Sequence, residues 1–238
     1  MTLPDLALQI AYARLSWALV LATLVIALWR GADSLPRPML AVILAASLGV
    51  MLLPGELSPA YWLGLAFQYP SGLLAGCCAL RLVERWHGIR RSRAMPHALA
   101  GVLVVCGALL YLDTFGLLAR GFYYAGFWPL FTPAVAVLGA LACALAVVRG
   151  NARSPAAPML GAIALFSLLR LPTGNLWDAM LDPLLCGWAV LTLAIGALRT
   201  SGRRASDRAP ESIPGAQQSP PAPALSGAPI EQFSSVKE

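Results

Sequence analysis

Long apolar runs separated by short polar connections make up most of the chain as far as Leu198. A helix crosses the ~30 Å hydrocarbon core of a bilayer with about 20 apolar residues, because each residue adds ~1.5 Å. Seven runs reach or approach this length, and they predict helices at residues 7–29, 38–53, 59–83, 97–118, 122–148, 155–171 and 176–198. The pattern therefore predicts an all-α fold, a polytopic transmembrane helix bundle of seven spans.

The fifth run is long and contains Pro129 and Pro133. Proline inside a helix removes a backbone donor and clashes with the preceding turn. Two interpretations of this run are therefore equally good. Either one span covers residues 122–148, or the span starts at Pro129 and the segment "RGFYYAGFW" lies along the outer membrane interface.

The arginines orient the predicted spans. Basic residues close to span ends are retained on the cytoplasmic side of the membrane. Thirteen of the sixteen arginines fall in alternate connections: Arg30, Arg37, Arg81, Arg85, Arg90, Arg91, Arg93, Arg149, Arg153, Arg199, Arg203, Arg204 and Arg208. With these connections inside, the N-terminus is predicted outside and the C-terminus inside. Tyr123 and Trp177 then lie at outer boundaries, where interfacial aromatic residues are common.

The composition agrees with a membrane protein. Hydrophobic residues make up 58% of the chain and charged residues 12%, with a mean hydropathy of +0.71, whereas about 25% of residues in soluble domains are charged. The net charge of +6 comes from arginine clusters between apolar runs, which suits an anionic lipid leaflet better than nucleic acid. The expected partner is the lipid bilayer, and the preference for Arg over Lys indicates a bacterial cytoplasmic (inner) membrane.

The chain changes character after Arg199. The segment beyond it is rich in Pro, Ser, Ala and Gln, and such a segment cannot bury enough apolar surface to become ordered. We therefore predict two regions. Residues 1–199 form the transmembrane helical bundle, and residues 200–238 form a disordered cytoplasmic tail.

Three polar residues inside the predicted spans are candidates for a site: Gln68, Asp113 and Arg170. An ionisable residue in hydrocarbon costs a few kcal/mol and usually faces the bundle interior or a cavity. Near Gln68, Pro70 lacks an N–H. It therefore leaves backbone carbonyls without a helical hydrogen bond, and these could line a cavity. The equal depth of Asp113 and Arg170 predicts a buried ion pair, with Arg14 as an alternative partner. Such a pair could lock two spans together or form part of a functional site.

The stretch "LPTGNLWDAMLDP", at residues 171–183, is the predicted outer turn between spans six and seven. Gly174 allows the reversal, Asn175 caps the next helix with Asp178 as its capping-box partner, and Pro183 is expected to bend that helix. Asp178 and Asp182 are four residues apart and share a helix face. Both acids could simply favour a helix N-terminus. Alternatively, they could bind a cation or a substrate amine at the outer mouth of the bundle.

Sequence motifs for metal or cofactor chemistry are not found. The five cysteines lie in apolar runs without a CxxC spacing, and the two histidines flank a basic connection. The chain has no HExxH pair and no glycine-rich phosphate loop. It also has no lysine in the last span that could form a retinal Schiff base. We therefore predict no catalytic residue, no metal and no cofactor.

Three functions remain compatible with this pattern. The low number of intramembrane ionisable residues favours a non-catalytic inner-membrane protein, a partner or accessory subunit of an envelope or transport assembly. The alternative is a small-solute or ion transporter with a polar site in the outer half of the bundle, formed by Gln68, Asp113, Arg170, Asp178 and Asp182. A lipid-modifying membrane enzyme is a weaker alternative. A polar cavity reachable by water would favour transport, whereas a dry bundle would favour a subunit.

Overall fold

The structure, a computed structural model, describes residues 4–29, 35–89, 95–118, 120–149 and 153–207. Within these ranges the chain is helical, without a β-strand. The helices are α1 (Leu6–Leu28), α2 (Arg37–Met51), α3 (Pro59–Phe67), α4 (Gly72–Trp86), α5 (His97–Thr114), α6 (Phe122–Ala125), α7 (Phe131–Val148), α8 (Arg153–Leu169), α9 (Leu176–Met180) and α10 (Pro183–Asp207). The all-α prediction is confirmed for this part of the chain.

Four of the described helices are long and apolar enough to cross a membrane: α1, α5, α7 and the Pro183–Ser201 part of α10. Shorter apolar helices are α2 and the Ala156–Leu169 part of α8. Large apolar side chains on the long helices, such as Leu138 and Leu191, are exposed to the surroundings. Lipid tails can cover such side chains, so the structure is consistent with a helical membrane protein.

The third predicted span is not one helix. The structure divides residues 59–83 between α3 and α4, and Gln68 between them has φ 60° and ψ −115°, far from helical values. The carbonyl of Pro70 accepts a hydrogen bond from the Tyr12 hydroxyl of α1 at 2.8 Å. Ser71 then caps α4, because its Oγ accepts the N–H of Leu74 at 3.1 Å. The sequence indicated this break through Pro70, but the predicted span ran across it.

The fifth and seventh predicted spans are also divided. The short helix α6 is separate from α7, which begins at Phe131, close to the alternative start at Pro129. The placement of the preceding segment along the membrane interface stays a prediction. The seventh span was predicted from residue 176, but α9 ends at Met180 and α10 starts at Pro183. In place of the predicted bend at Pro183 there is a full break just before it, because the backbone is extended at Leu181 (φ −133°, ψ 136°). Pro183 therefore occupies a helix start, where its missing N–H costs no hydrogen bond.

The core is built around α4, which packs closely on α8. A Cβ on Gly72 would lie 3.1 Å from the Cα of Ala162, and a Cβ on Gly76 would lie 3.1 Å from the Cα of Pro158. Small residues four apart allow such an approach between helices. The largest cluster of buried apolar side chains joins α4, α5, α8 and α10: Leu73, Leu74, Cys78, Met95, Ala100, Leu103, Ala162, Leu185 and Ala189.

The chain divides into two units, one ending at Leu198 and the other beginning at Arg199. In the second unit the structure describes residues 199–207, which continue α10. The helix thus includes residues 200–207, which the sequence assigns to the tail. The rest of the predicted disordered tail, residues 208–238, lies outside the described residues.

Candidate functional site

A cavity of about 310 Å³ lies where the interruptions of the third and seventh predicted spans meet. Three of the five predicted site residues line it: Gln68, Asp178 and Asp182. Its other walls are rich in aromatic side chains, contributed by Phe67, Tyr69, Tyr111, Tyr123 and Trp177. The cavity therefore combines carboxylates, hydroxyls and aromatic rings.

Asp182, which lines this cavity, joins two helix starts. Its side chain is 6% exposed. Oδ1 accepts the N–H of Leu185 in the first turn of α10 at 2.7 Å, and Oδ2 accepts the N–H of Ser71, the cap residue of α4, at 2.7 Å. Helix N-termini carry partial positive charge that stabilises an anion. The backbone of two helices thus compensates the negative charge of Asp182.

Asp178 has different partners. The Tyr123 hydroxyl donates to both carboxylate oxygens at 3.2 Å each, and the Thr173 hydroxyl donates to Oδ2. Burial raises the pKa of Asp178 above the ordinary value of 3.8, while the hydrogen bonds from Thr173 and Tyr123 act in the opposite direction. Among the described residues no cationic side chain contacts this carboxylate. An ionised Asp178 is therefore a negative charge compensated by two hydroxyl groups alone.

Tyr123 is suited to donate this hydrogen bond at neutral pH. Burial, followed by the nearby charge of Asp178, raises the pKa of Tyr123 to about 12. Its hydroxyl consequently stays protonated over the physiological range. A solute that approaches Asp178 meets a carboxylate whose two donors are neutral hydroxyls, which can turn to another acceptor.

Packing of α6 against α9 holds Tyr123 and Asp178 in position. Asn175 is fully buried, and its Oδ1 accepts the N–H of Trp177 at 2.9 Å, which confirms the predicted cap of α9. Its Nδ2 donates to the carbonyl of Tyr123 at 3.2 Å. A Cβ on Gly126 would overlap Asn175, so the two short helices can approach only at a glycine. The predicted capping-box role of Asp178 is not seen, because its carboxylate faces the two hydroxyls.

The predicted ion pair between Asp113 and Arg170 is not formed. Asp113 is 8% exposed. Its carboxylate accepts three backbone N–H groups of the segment that leads into α6, at 2.7 to 3.2 Å. The guanidinium of Arg170 lies over the ring of Phe166, 5.2 Å from its centre. Neither Asp113 nor Arg170 lines the cavity, so the structure separates them from the other three candidates.

Several site residues were not predicted from the sequence. Tyr123 and Trp177 were interpreted as interfacial anchors, yet both line the cavity, and Thr173 donates to Asp178. The nearest signal was their clustering at predicted outer boundaries. That signal does not distinguish a ring that faces lipid from a ring that faces a cavity.

Metal-ligating side chains do not converge in the described part of the chain, where no group of three His, Cys, Asp or Glu residues could hold an ion. The cavity lining offers hydrogen-bonding groups, carboxylates and aromatic faces. Comparison of the chain with known protein families, curated proteins and solved structures finds no match.

Proposed function

We propose that this protein is a small-solute transporter of a bacterial cytoplasmic membrane, with its binding site in the cavity at Asp178 and Asp182. The observation that carries this proposal is the cavity of about 310 Å³, lined by Asp178 and Asp182, at the meeting point of two interrupted helices. A dry bundle would instead favour the accessory subunit suggested by the scarcity of ionisable residues. The proposal therefore takes the second of the three functions that the sequence left compatible.

The interrupted helices support transport. Many transporters bind their substrates where discontinuous membrane helices expose backbone groups to a cavity. Irregular backbone at membrane depth is tolerated where it lines a cavity or is buried in protein. Here residues 68–71 and residues 181–182 are the interruptions, and Gln68, Tyr69, Leu181 and Asp182 all line the cavity.

The charges favour a cationic solute. The N–H groups of two helix starts already bind Asp182, so these positive helix ends are not free to bind an anionic solute. When Asp178 is ionised, only two neutral hydroxyl groups donate to it, and its negative charge would repel an anion. Aromatic faces next to a carboxylate attract cations, by about 0.5–1 kcal/mol when exposed and about 2 kcal/mol when desolvated. We infer an organic cation or a protonated amine as the solute.

We further propose seven membrane crossings with the N-terminus outside and the C-terminus inside. The crossings are α1, α2, α3 with α4, α5, α7, α8 and α10. Contacts between helix ends support the alternating directions. The guanidinium of Arg37, at the start of α2, donates to the carbonyl of Trp86 at the end of α4, and Gln9 in α1 donates to the carbonyl of Pro172 just after α8. In this topology the cavity lies in the outer half of the bundle.

The binding step is tested by thermal shift of the purified chain in detergent with tetramethylammonium chloride, against sodium chloride as the salt control. We expect the cation to raise the melting temperature of the wild type, because a ligand stabilises only the state it binds. Asp178→Asn should remove this response. Glu56→Gln is the matched control, since it removes one carboxylate outside the cavity lining and should respond like the wild type.

Transport itself is tested by uptake of radiolabelled tetramethylammonium into proteoliposomes, since a permanent cation does not cross lipid unaided. Uptake by the wild type and by Glu56→Gln, but not by Asp178→Asn, is the expected result. Binding without uptake would indicate a solute-binding subunit rather than a transporter. Absence of any thermal response in the wild type would contradict the proposal and return the accessory-subunit function to first place.

A further inference from the structure

A second cavity, of about 160 Å³, lies beside the first. Apolar side chains of α5, α7 and α8 form most of its wall, including Val102, Leu103, Ala136 and Ile163. A buried water needs two to four polar partners, and an apolar cavity of about 150 Å³ stays dry and can hold benzene. The second cavity therefore suits an apolar group about as large as a six-carbon ring.

The two cavities share a wall formed by Trp177 and Leu181. The indole N–H of Trp177 donates to the carbonyl of Phe122 at 2.9 Å, which holds the ring at this boundary. On one side of the wall lies Asp178 with its aromatic neighbours. On the other side the lining is apolar. Because Trp177 and Leu181 line both cavities, a molecule lying along these two side chains would have a carboxylate at one end and apolar side chains at the other.

We propose that the solute is an amphipathic cation, with its basic nitrogen near Asp178 and an apolar chain or ring in the second cavity. This inference rests on the proposed function, because it names the substrate class of the same site. A small inorganic cation would use only the first cavity. An uncharged apolar molecule would fill only the second and gain nothing from Asp178.

The proposal predicts how affinity depends on ligand structure. Each methylene group removed from water contributes about 0.8 kcal/mol, which corresponds to about a fourfold gain in affinity. In a series from tetramethylammonium through butyl- to hexyltrimethylammonium, affinity should therefore rise steeply. Neutral hexanol should bind much more weakly than hexyltrimethylammonium, because it lacks the charge that pairs with Asp178.

The experiment measures dissociation constants of this series by calorimetry on the full chain in detergent. Ala136→Phe fills the second cavity from α7, where Ala136 is 6% exposed. Val137→Phe is the matched control, since it adds the same ring one residue further on, where the side chain is 57% exposed. We expect hexyltrimethylammonium to bind at least about tenfold more tightly than tetramethylammonium in the wild type and in Val137→Phe, given the methylene contribution. In Ala136→Phe that ratio should fall close to one.

The outcomes separate this inference from the proposed function. If tetramethylammonium binds but the longer cations bind no more tightly, or if the gain persists in Ala136→Phe, the inference is wrong and the proposed function stands. If tetramethylammonium does not bind, the proposed function itself fails. Circular dichroism and gel filtration check that Ala136→Phe is folded. Should it not fold, Cys106→Phe fills the same cavity from α5, where Cys106 is partly buried and lines the cavity.

Discussion

Asp178 and Asp182 line the same cavity but have different roles, because different groups donate hydrogen bonds to their carboxylates. Asp182 accepts backbone N–H groups that the folded helices hold in place, whereas Asp178 accepts the hydroxyls of Tyr123 and Thr173. A hydroxyl can rotate and give its hydrogen bond to another acceptor, but a helix N–H cannot. Asp182 therefore acts as part of the fold, and Asp178 is the group that can respond to a ligand or a proton.

The affinity for tetramethylammonium should depend on pH through Asp178. Burial raises the pKa of Asp178 above 3.8, and a cation prefers the ionised form. Affinity should fall as the pH is lowered from about 8 to about 4, with its midpoint above the unperturbed aspartate pKa of about 3.9. Calorimetry across this range measures the effect. In Asp178→Asn the dependence should disappear, and a constant wild-type affinity would contradict the assignment.

The raised pKa of Asp178 also makes the stability of the ligand-free protein depend on pH, but in the direction opposite to the affinity. Because the folded state favours the protonated form of Asp178, this group stabilises the fold at low pH. That contribution is lost as the pH rises through the folded-state pKa. Ligand binding and ligand-free stability should thus change in opposite directions over one pH range.

The sequence predicted residue-level structure where the determinants are local. The Asn175 cap follows from the residue type at a helix start, and it is confirmed. The pairing of Asp113 with Arg170 was inferred from equal depth in the membrane, and it is wrong. Depth does not specify which backbone groups lie nearby, and the segment that enters α6 supplies three N–H donors to Asp113.

At the scale of elements, prolines mark the helix interruptions. Pro70 precedes the start of α4 and Pro183 begins α10, and both are visible in the sequence. The hydrogen bond from Ser71 to Asp182, which links these two starts, joins residues 111 positions apart. No local pattern contains that link. The interruptions could therefore be located approximately from the sequence, but their meeting at one carboxylate could not.

Removing the Asp182 carboxylate should destabilise the fold. Asp182→Ala leaves the N–H groups of Ser71 and Leu185 buried without an acceptor, at a cost of about 2–4 kcal/mol in the free energy of unfolding. Asp182→Asn keeps one acceptor oxygen but sets its NH2 group against the other N–H donor, so it should still cost about 1–3 kcal/mol. Unfolding in detergent with increasing denaturant measures both variants. Glu56→Gln serves as the surface control, and a loss for Asp182→Ala no larger than the loss for this control would show that the link contributes little.

At the scale of the whole molecule, hydrophobic periodicity predicted the helical bundle but not the cavity. The apolar runs correspond to described helices, four of which are long enough to span a membrane. Three predicted spans, at residues 59–83, 122–148 and 176–198, each divide into two helices. The cavity forms where the divisions of the third and seventh predicted spans meet. Its lining combines Tyr69, Tyr123 and Asp178, which only the tertiary fold brings together.

The proposed orientation has a consequence for access to the cavity. With the N-terminus outside, the interruptions at residues 68–71 and 181–182 lie near the outer face. Solutes should then reach Asp178 from outside, while the arginine-rich connections remain inside under the attraction of the anionic leaflet. Topology and site are therefore testable together.

Accessibility labelling should find the connection at Glu56 outside and the connection at Arg90 inside. The measurement uses a background in which the five native cysteines are replaced by serine or alanine, with Glu56→Cys or Arg90→Cys added singly. A membrane-impermeant maleimide should label Glu56→Cys in intact cells and Arg90→Cys only after permeabilisation, because basic connections stay in the cytoplasm. The opposite labelling pattern would reverse the topology and make the cavity open to the cytoplasm. Labelling of both positions in intact cells would mean that the number of crossings between them is even rather than odd.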